Sequence, residues 1–270
     1  MRFSVVTPTF NRRSVLTRSI DSSLTFVRAV GDSEVVVVDD ASQDGTADMI
    51  RDHYAPELAT GILKLIERPQ NGGSTAAKTD GGRAANGDWL VFLDSDDELL
   101  PQAFAVIPTF IAAHPDAPVF FFRCVDEENH LIGPSVTPRP IPFSDFLRGL
   151  PVLATPDECL PVISRLAFLE FPPDKDPLGF ELISAIRTIG KFGPAMLSND
   201  VARRYHREGA DRLTSRAGNL RRAGHLVRGF SAMLDEFGSL ITFQQRMKIR
   251  LRIACYATAA ASGFGAQRSK

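Results

Sequence analysis

The sequence has few of the features that mark secreted, membrane-spanning or nucleic-acid-binding proteins. Its 270 residues include three cysteines, Cys124, Cys159 and Cys255, which are too far apart for a zinc site and odd in number. This predicts unpaired thiols in a reducing cytoplasm. No apolar run is long enough to cross a bilayer, and no secretory signal precedes the first apolar segment. The formal net charge of -1 excludes a generally basic nucleic-acid binder, so no nucleic acid partner is expected.

The apolar pattern that is present predicts an α/β fold. Strands are expected between helices along the first hundred positions, at Arg2–Phe10, Glu34–Val38, Ile62–Ile66 and Trp89–Leu93. The helices between them are expected near Arg13–Val27, Thr46–His53 and Thr75–Ala85. This alternation is typical of right-handed βαβ units and predicts a Rossmann-like, mainly parallel sheet covered by helices.

A dense acidic cluster follows the strand at Trp89–Leu93. Its members fall within five positions and are Asp94, Asp96, Asp97 and Glu98. The strand is apolar throughout, which predicts burial on both faces and places the carboxylates at its carboxyl end, where open α/β sheets bind ligands. Crowded carboxylates repel one another unless a cation holds them, and oxygen ligands favour Mg²⁺ or Mn²⁺. The alternative is a solvated acidic turn that caps the helix near Pro101.

A second acidic cluster, Asp39 and Asp40, closes the strand at Glu34–Val38. Asp44-Gly45-Thr46 beyond it has the composition of a turn and helix N-cap, and that structural reading can hold together with a ligand site. Asp174-Lys175-Asp176 is a useful contrast, because it lies among prolines with no strand before it and therefore predicts a loop.

Four segments then stand in a fixed order: Ser4–Arg12, Val35–Thr46, Asn71–Lys78 and Ala85–Asp97. Their order and spacing resemble the successive motifs of the family 2 glycosyltransferases. The resemblance is close over residues 1–100 and fades afterwards. It implies a GT-A fold, a nucleotide-sugar donor, a divalent metal and inversion at the anomeric carbon.

The resemblance assigns the nucleoside pocket to Pro8, Phe10, Asp39 and Asp40. Pro8 and Phe10 would form its floor, and Asp39 would be the more structural acid. Asp40 would accept a hydrogen bond from the base; an ionised carboxylate only accepts, which suits the imide N–H of uracil first and thymine second. Lys78 stands where the family usually has arginine, so it offers a point charge for phosphate without the bidentate fork.

The same resemblance places Asp94 and Ser95 on the nucleotide and gives the Mn²⁺ or Mg²⁺ ion its acidic ligands. Those ligands are Asp94, Asp96 and Asp97, and which of the three binds directly is left open. Further on, Val201–Arg207 reads as a last strand entering a polar loop. His206 is expected on the metal and Arg207 on the diphosphate, although a single histidine can equally be structural.

Inverting transfer needs a general base near the acceptor hydroxyl. In the family this base is an acid at a helix start, six residues before an arginine, which points to Glu181 ahead of Arg187. Phe180 stands where the family has a preceding acid, which is a departure from the pattern. The alternative is that Glu181 only complements the amino end of its helix.

The C-terminal segment 219–270 is basic, with nine Lys and Arg against Asp235 and Glu236, or nine minus two, +7. Apolar residues recur at helical spacing in two stretches, around Leu226–Phe237 and Phe243–Ala254, which predicts a helical extension. These helices would pack on the core or on a second subunit of a homo-oligomer. Alternatively they would attach peripherally to the inner face of an anionic membrane, where a lipid-linked acceptor would be found.

The sequence therefore predicts a catalytic domain at 1–218, divided into a nucleotide half at 1–100 and an acceptor half at 101–218, followed by the extension. The expected function is transfer of a sugar from a nucleoside diphosphate to a hydroxyl of a glycan or glycolipid. Two alternatives remain: a catalytically silent nucleotide-sugar or glycan binding module, and a phosphohydrolase with Asp94 as nucleophile and Asp96 as acid.

Overall fold

The computed structural model describes residues 1–149, 155, 158–173, 181–206 and 223–261. The strands are β1 (Phe3–Thr9), β2 (Glu34–Asp39), β3 (Leu63–Glu67), β4 (Trp89–Phe92), β5 (Glu98–Leu99), β6 (Val119–Val125), β7 (Arg139–Ile141), β8 (Cys159–Ser164) and β9 (Ala195–Arg204). The helices of the first part are α1 (Leu16–Val30), α2 (Thr46–His53), α3 (Ala55–Thr60), α4 (Ser74–Ala84) and α5 (Ala103–Ala113). Those that follow are α6 (Phe143–Gly149), α7 (Arg165–Glu170), α8 (Glu181–Phe192), α9 (Ala223–Phe237) and α10 (Phe243–Ala261).

The described strands form one sheet in the order β3-β2-β1-β4-β8-β6-β9-β5, with β7 pairing β9. The pairs among β3, β2, β1 and β4 are parallel, as predicted for the first hundred residues. Beyond β4 the sheet is mixed, because β8 runs antiparallel to both β4 and β6 while β9 is parallel to β6. The α/β class is confirmed, and each antiparallel pair of named strands includes β8 or β9 from the second half of the chain.

Both faces of the sheet are covered, which explains the continuous apolar strands. Every residue of β1 and β2 is buried. Along these strands successive side chains alternate between two clusters. Val5 and Val35 pack with α1 and α5, whereas Val6 and Val36 pack with α4, α7, α8 and α9.

Two helices close the described chain, as predicted. α9 buries Leu226, Phe230, Met233 and Phe237 in the same cluster as the sheet, so this helix is part of the main core. α10 buries only Ile249. Among the described helices, none combines the length and apolar character needed to cross a membrane. The predicted boundary between residues 218 and 219 lies outside the described residues, and that division stays a prediction.

Helix α4 packs against the sheet at very close range, and a glycine makes this possible. A Cβ atom added to Gly81 would lie 2.5 Å from Val6 Cγ1 and 3.0 Å from Val38 Cγ2. Both valines are β-branched and held in the sheet, so neither side chain can turn aside easily. The close approach matters to the ligand-binding edge, because α4 carries Lys78.

We expect Gly81→Ala to destabilise the protein by about 1–2 kcal/mol, since overpacking outweighs the helix propensity gained by alanine. Urea unfolding measures the change. The matched control is Gly224→Ala in α9, where the nearest atom of the described residues to an added Cβ is 4.0 Å away. That variant should be neutral or slightly more stable. Equal behaviour of the two variants would contradict the packing explanation.

Candidate functional site

The acidic cluster lies where the sequence predicts it, directly after β4. The Leu93 amide donates to the Val6 carbonyl at 3.1 Å, and the chain then turns so that the Asp97 amide donates to the Asp94 carbonyl at 3.1 Å. Because β1, β2 and β4 are parallel, their carboxyl ends share one edge of the sheet. Residues 8–10, 39–40 and 94–97 therefore gather along this edge.

Among the acids of the cluster that pair with a basic side chain, Asp94 has the most exposed side chain. Its side chain is 42% exposed, and its carboxylate lies 3.3 Å from Lys78 Nζ and 3.9 Å from a terminal nitrogen of Arg203. Desolvation acts to raise the pKa of Asp94, but the charges of Lys78 and Arg203 outweigh it and lower this pKa. Asp94 is thus held as a carboxylate at the mouth of the site.

Asp97 is fully buried and faces the protein interior. One carboxylate oxygen accepts a hydrogen bond from the His206 backbone amide at 2.9 Å, and the other lies 3.3 Å from Arg203. Burial raises the pKa of Asp97 against the opposing charge of Arg203, with the charge of Asp94 adding to the rise. These contacts tie the turn after β4 to the end of β9. Direct ligation of a metal by Asp97 stays a prediction.

Arg203, which sequence reasoning missed, is the cation beneath this cluster. Its side chain is 2% exposed. It donates to Glu158 at 2.8 Å and to Cys124 Sγ at 3.2 Å, in addition to its contact with Asp97. The one sequence signal was an arginine within the strand expected near Val201. Its partners Asp97, Cys124 and Glu158 come from three separate parts of the chain that only the fold brings together.

Asp96 is half-buried between the cluster and two arginines. Desolvation and the charge of Asp94 raise the pKa of Asp96, while the charges of Arg12 and Arg18 oppose that rise. The repulsion between Asp94 and Asp96 is of the kind a cation relieves, and their oxygens are the donors that Mg²⁺ and Mn²⁺ prefer. These two residues fit a divalent metal bound by one or two carboxylates together with substrate phosphates.

The His206 ring lies between Arg18 and Glu98. Its Nδ1 atom is 2.7 Å from an Arg18 terminal nitrogen, which donates, and its Nε2 atom is 3.5 Å from a Glu98 oxygen. Glu98 is also paired with Arg204. Within the described part of the chain, Nε2 has no hydrogen-bond partner although it is buried. The structure brings His206 to Asp97 through its backbone, and its role as a metal ligand stays a prediction.

A second group of side chains, separate from the acidic cluster after β4, lies close enough together to bind one metal ion. Among the described residues, the ligand atoms of Asp126, Glu128 and His130 lie within 4.8 Å of one another. This candidate acidic metal site occupies an exposed turn after β6, held by the His130 amide donating to Asp126 at 2.8 Å. Arg204 links the turn to the main site by donating to Asn129 at 2.8 Å.

The residues of the expected nucleoside pocket include the buried Pro8 and two acids, Asp39 and Asp40, that already accept hydrogen bonds from the protein. Pro8 is buried, whereas Phe10 is 42% exposed at the end of β1. Asp39 accepts hydrogen bonds from the amide and hydroxyl of Ser42, and burial raises its pKa. Ser95 is buried beside Asp94.

Asp40 is almost fully engaged by the loop that precedes α4. Its two oxygens accept the amides of Gly72 at 2.9 Å and Gly73 at 2.6 Å, and Arg68 donates to it as well. Arg68 also donates to Asp80 at 2.8 Å. A carboxylate has about four acceptor positions, so these three donors leave one for a ligand. Asp40 therefore shapes the pocket wall in addition to any contact with a base.

Glu181 is the first residue of α8, as predicted, and its side chain lies outside the described residues together with Phe180, Arg207 and the Asp174–Asp176 segment. Arg187, six residues later, forms two hydrogen bonds to Glu236 of α9 at 2.7 and 2.5 Å. The roles proposed for Glu181 and Arg207 stay predictions.

Comparison with known sequences identifies relatives of this chain. The family profile described as "Glycosyl transferase family 2" matches residues 4–167, more than half of the chain. An "Uncharacterized glycosyltransferase MG060 homolog" from Mycoplasma pneumoniae is 28% identical over 246 residues, covering 89% of this chain and 78% of the relative. A "PGL/p-HBAD biosynthesis glycosyltransferase" from Mycobacterium bovis is 37% identical over 113 residues, or 42% of each chain. This chain spans less than half of that second relative.

Solved structures show the same fold. TarS 1-349 from S. aureus, in complex with UDP-GlcNAc, has a TM-score of 0.61 and 17% identity, covering 97% of this chain and 73% of TarS. The mannosyltransferase PcManGT from Pyrobaculum calidifontis, in complex with GDP-Man and Mn²⁺, has a TM-score of 0.61 and 21% identity, covering 98% and 76%. The GT-A fold expected from the sequence motifs is confirmed.

We expect Arg203→Met to cost about 3–5 kcal/mol of stability, because it leaves buried Asp97 without its cation. Urea unfolding measures the loss, and Asp97→Asn in the same background should recover part of it. The control is Arg204→Met on the same strand, where the pair with Glu98 is partly exposed and worth about 1 kcal/mol or less. A loss no larger for Arg203 than for Arg204 would contradict this assignment.

Proposed function

Because the chain belongs to glycosyl transferase family 2 and is a glycosyltransferase, we propose the finer reaction that its site supports best. The enzyme transfers a sugar, with inversion, from a nucleoside diphosphate to a hydroxyl of a glycan or lipid-linked acceptor. The observation that carries the proposal is the carboxylate pair Asp94 and Asp96 beside Lys78, at the same sheet edge as residues 8–10 and 39–40. That edge offers a nucleoside pocket and a charged phosphate site next to each other.

The diphosphate would be held from two sides. Lys78, 14% exposed and 3.3 Å from Asp94, would supply a positive charge to the phosphate oxygens. Asp94 and Asp96 would hold Mn²⁺ or Mg²⁺, which, when bound, supplies Lewis-acid neutralisation of the departing diphosphate. The Mn²⁺ in the PcManGT complex supports a metal in this fold.

We propose uridine as the nucleoside of the donor. The remaining acceptor position of Asp40 suits an imide N–H, and the buried Pro8 and exposed Phe10 offer an apolar floor and a ring for the base. The TarS complex with UDP-GlcNAc supports the nucleotide-sugar class, and the PcManGT complex with GDP-Man shows that this fold also takes guanosine.

Glu181 is the proposed base. It is the first residue of α8, a position where the helix dipole favours a negative charge. It would take the proton from the acceptor hydroxyl as the bond to the anomeric carbon forms and the bond to the diphosphate breaks. The catalytic domain at 1–218 and extension at 219–270 remain part of this proposal. Neither the silent binding module nor the phosphohydrolase is favoured by the family and its relatives.

We expect Asp96→Ala to abolish the Mn²⁺ dependence of UDP binding while leaving the fold intact, because a half-buried carboxylate at a strand end contributes little to the core. Titration calorimetry with UDP, with and without Mn²⁺, measures this. Glu128→Ala, in the exposed acidic turn, is the matched control and should bind UDP and Mn²⁺ like the unmodified protein. If Glu128→Ala abolished the Mn²⁺ dependence and Asp96→Ala did not, the metal site would instead be the turn after β6.

We expect Glu181→Gln to keep UDP affinity and to lose sugar transfer by about two to four orders of magnitude, since the amide cannot accept a proton. Transfer and donor hydrolysis are followed with a panel of nucleotide sugars. Full turnover in the variant would remove Glu181 as the base. Absence of both transfer and donor hydrolysis in the unmodified protein would support the silent module.

A further inference from the structure

Helix α10 has apolar residues on two opposite sides, and only one side is packed. Ile249 is buried, and Ile253 and Tyr256 are partly buried against the main core cluster. On the opposite side, Phe243 is 66% exposed and Leu251 is 61% exposed. An exposed apolar side chain contributes no hydrophobic free energy to folding. A row of such side chains on one side of a helix therefore suggests a binding surface.

The exposed residues form a continuous stripe. Phe243, Met247 and Leu251 are four positions apart, which places them along one side of the helix. Met247 is 37% exposed, and Leu240, 57% exposed, extends the stripe into the turn before the helix. We call these four residues the apolar stripe.

Basic residues border the stripe on both sides. At roughly 100° per residue, Arg250 lies about 20° beyond Phe243, and Lys248 lies about 60° beyond Leu251. Both are exposed. Two other arginines of the helix have internal partners: Arg246 donates to the carbonyls of Gly238 and Ile241, and Arg252 lies over the Phe230 ring. The helix contains no Asp or Glu.

This arrangement identifies the partner by its charge and shape. An apolar stripe between exposed cations, on a helix without acids, is complementary to an anionic surface with an apolar interior. A second copy of the same helix would instead bring like charges together. We propose that α10 docks in the plane of an anionic lipid bilayer through the apolar stripe, with Lys248 and Arg250 at the headgroups. The inference goes beyond the proposed reaction and does not depend on it.

Co-sedimentation of the full chain with vesicles tests this docking. We expect binding to mixed phosphatidylglycerol and phosphatidylcholine vesicles at low salt, reversal by added salt, and little binding to phosphatidylcholine alone. Replacing Phe243, Met247 and Leu251 together by serine should lower the partition coefficient. Lys248→Glu with Arg250→Glu should lower it by roughly tenfold or more.

A control at another exposed apolar site distinguishes docking through α10 from non-specific hydrophobic adsorption to vesicles. Leu166 and Leu169 on α7 are 71% and 39% exposed, and replacing both by serine should leave vesicle binding unchanged. Circular dichroism and UDP binding verify that each variant is folded. The proposal is overturned if the unmodified protein stays in the supernatant with anionic vesicles, or if the triple serine variant binds them equally well. It is also overturned if sedimentation velocity shows a dimer that the triple serine variant dissociates, without vesicle binding.

Discussion

The buried guanidinium of Arg203 is the interaction on which the acidic site depends. Three of its contacts, to Asp97, Glu158 and Cys124, come from different parts of the chain, and the side chain is almost inaccessible to water. A cation in such a place is stable only when its charge is compensated, and here acids compensate it. Asp97 therefore faces inward, which leaves Asp94 and Asp96 as the acids that can face a ligand.

The parallel strands of the sheet determine which residues lie at its ligand-binding edge. β1, β2 and β4 end together, so the residues that follow each strand meet although they are dozens of positions apart in sequence. Glycine at position 81 lets α4 approach the sheet, and α4 brings Lys78 to within 3.3 Å of Asp94. Packing of an apolar core thus determines where the charged groups lie.

The sequence was sufficient to predict the four parallel strands and the helices α1, α2 and α4 of the first hundred residues, because their periodicity and turn residues agree with one another. It did not predict the short elements α3 and β5. It also placed Asp39, Asp40, Asp94 and Asp96 at one edge, since parallel strands share their carboxyl ends. It did not predict the contacts of Asp40 with Gly72 and Gly73, or that of His206 with Arg18. Such partners depend on three-dimensional proximity between residues up to 188 positions apart, which periodicity does not encode.

The C-terminal helices connect by packing to the helix that Glu181 begins. α8, which Glu181 begins, packs through Ile183 and Ile186 in the same cluster as Phe230 of α9. The Arg187 pair with Glu236 fixes α8 against α9, and the Phe230 ring stacks on Tyr256 of α10 at 6.1 Å. The helix that carries the proposed base is therefore in contact with α9, and α9 packs in turn against α10. The contacts of α10 with α9 and of α9 with α8 thus form a continuous path of packed side chains and one ion pair between the C-terminal helix and the helix that Glu181 begins.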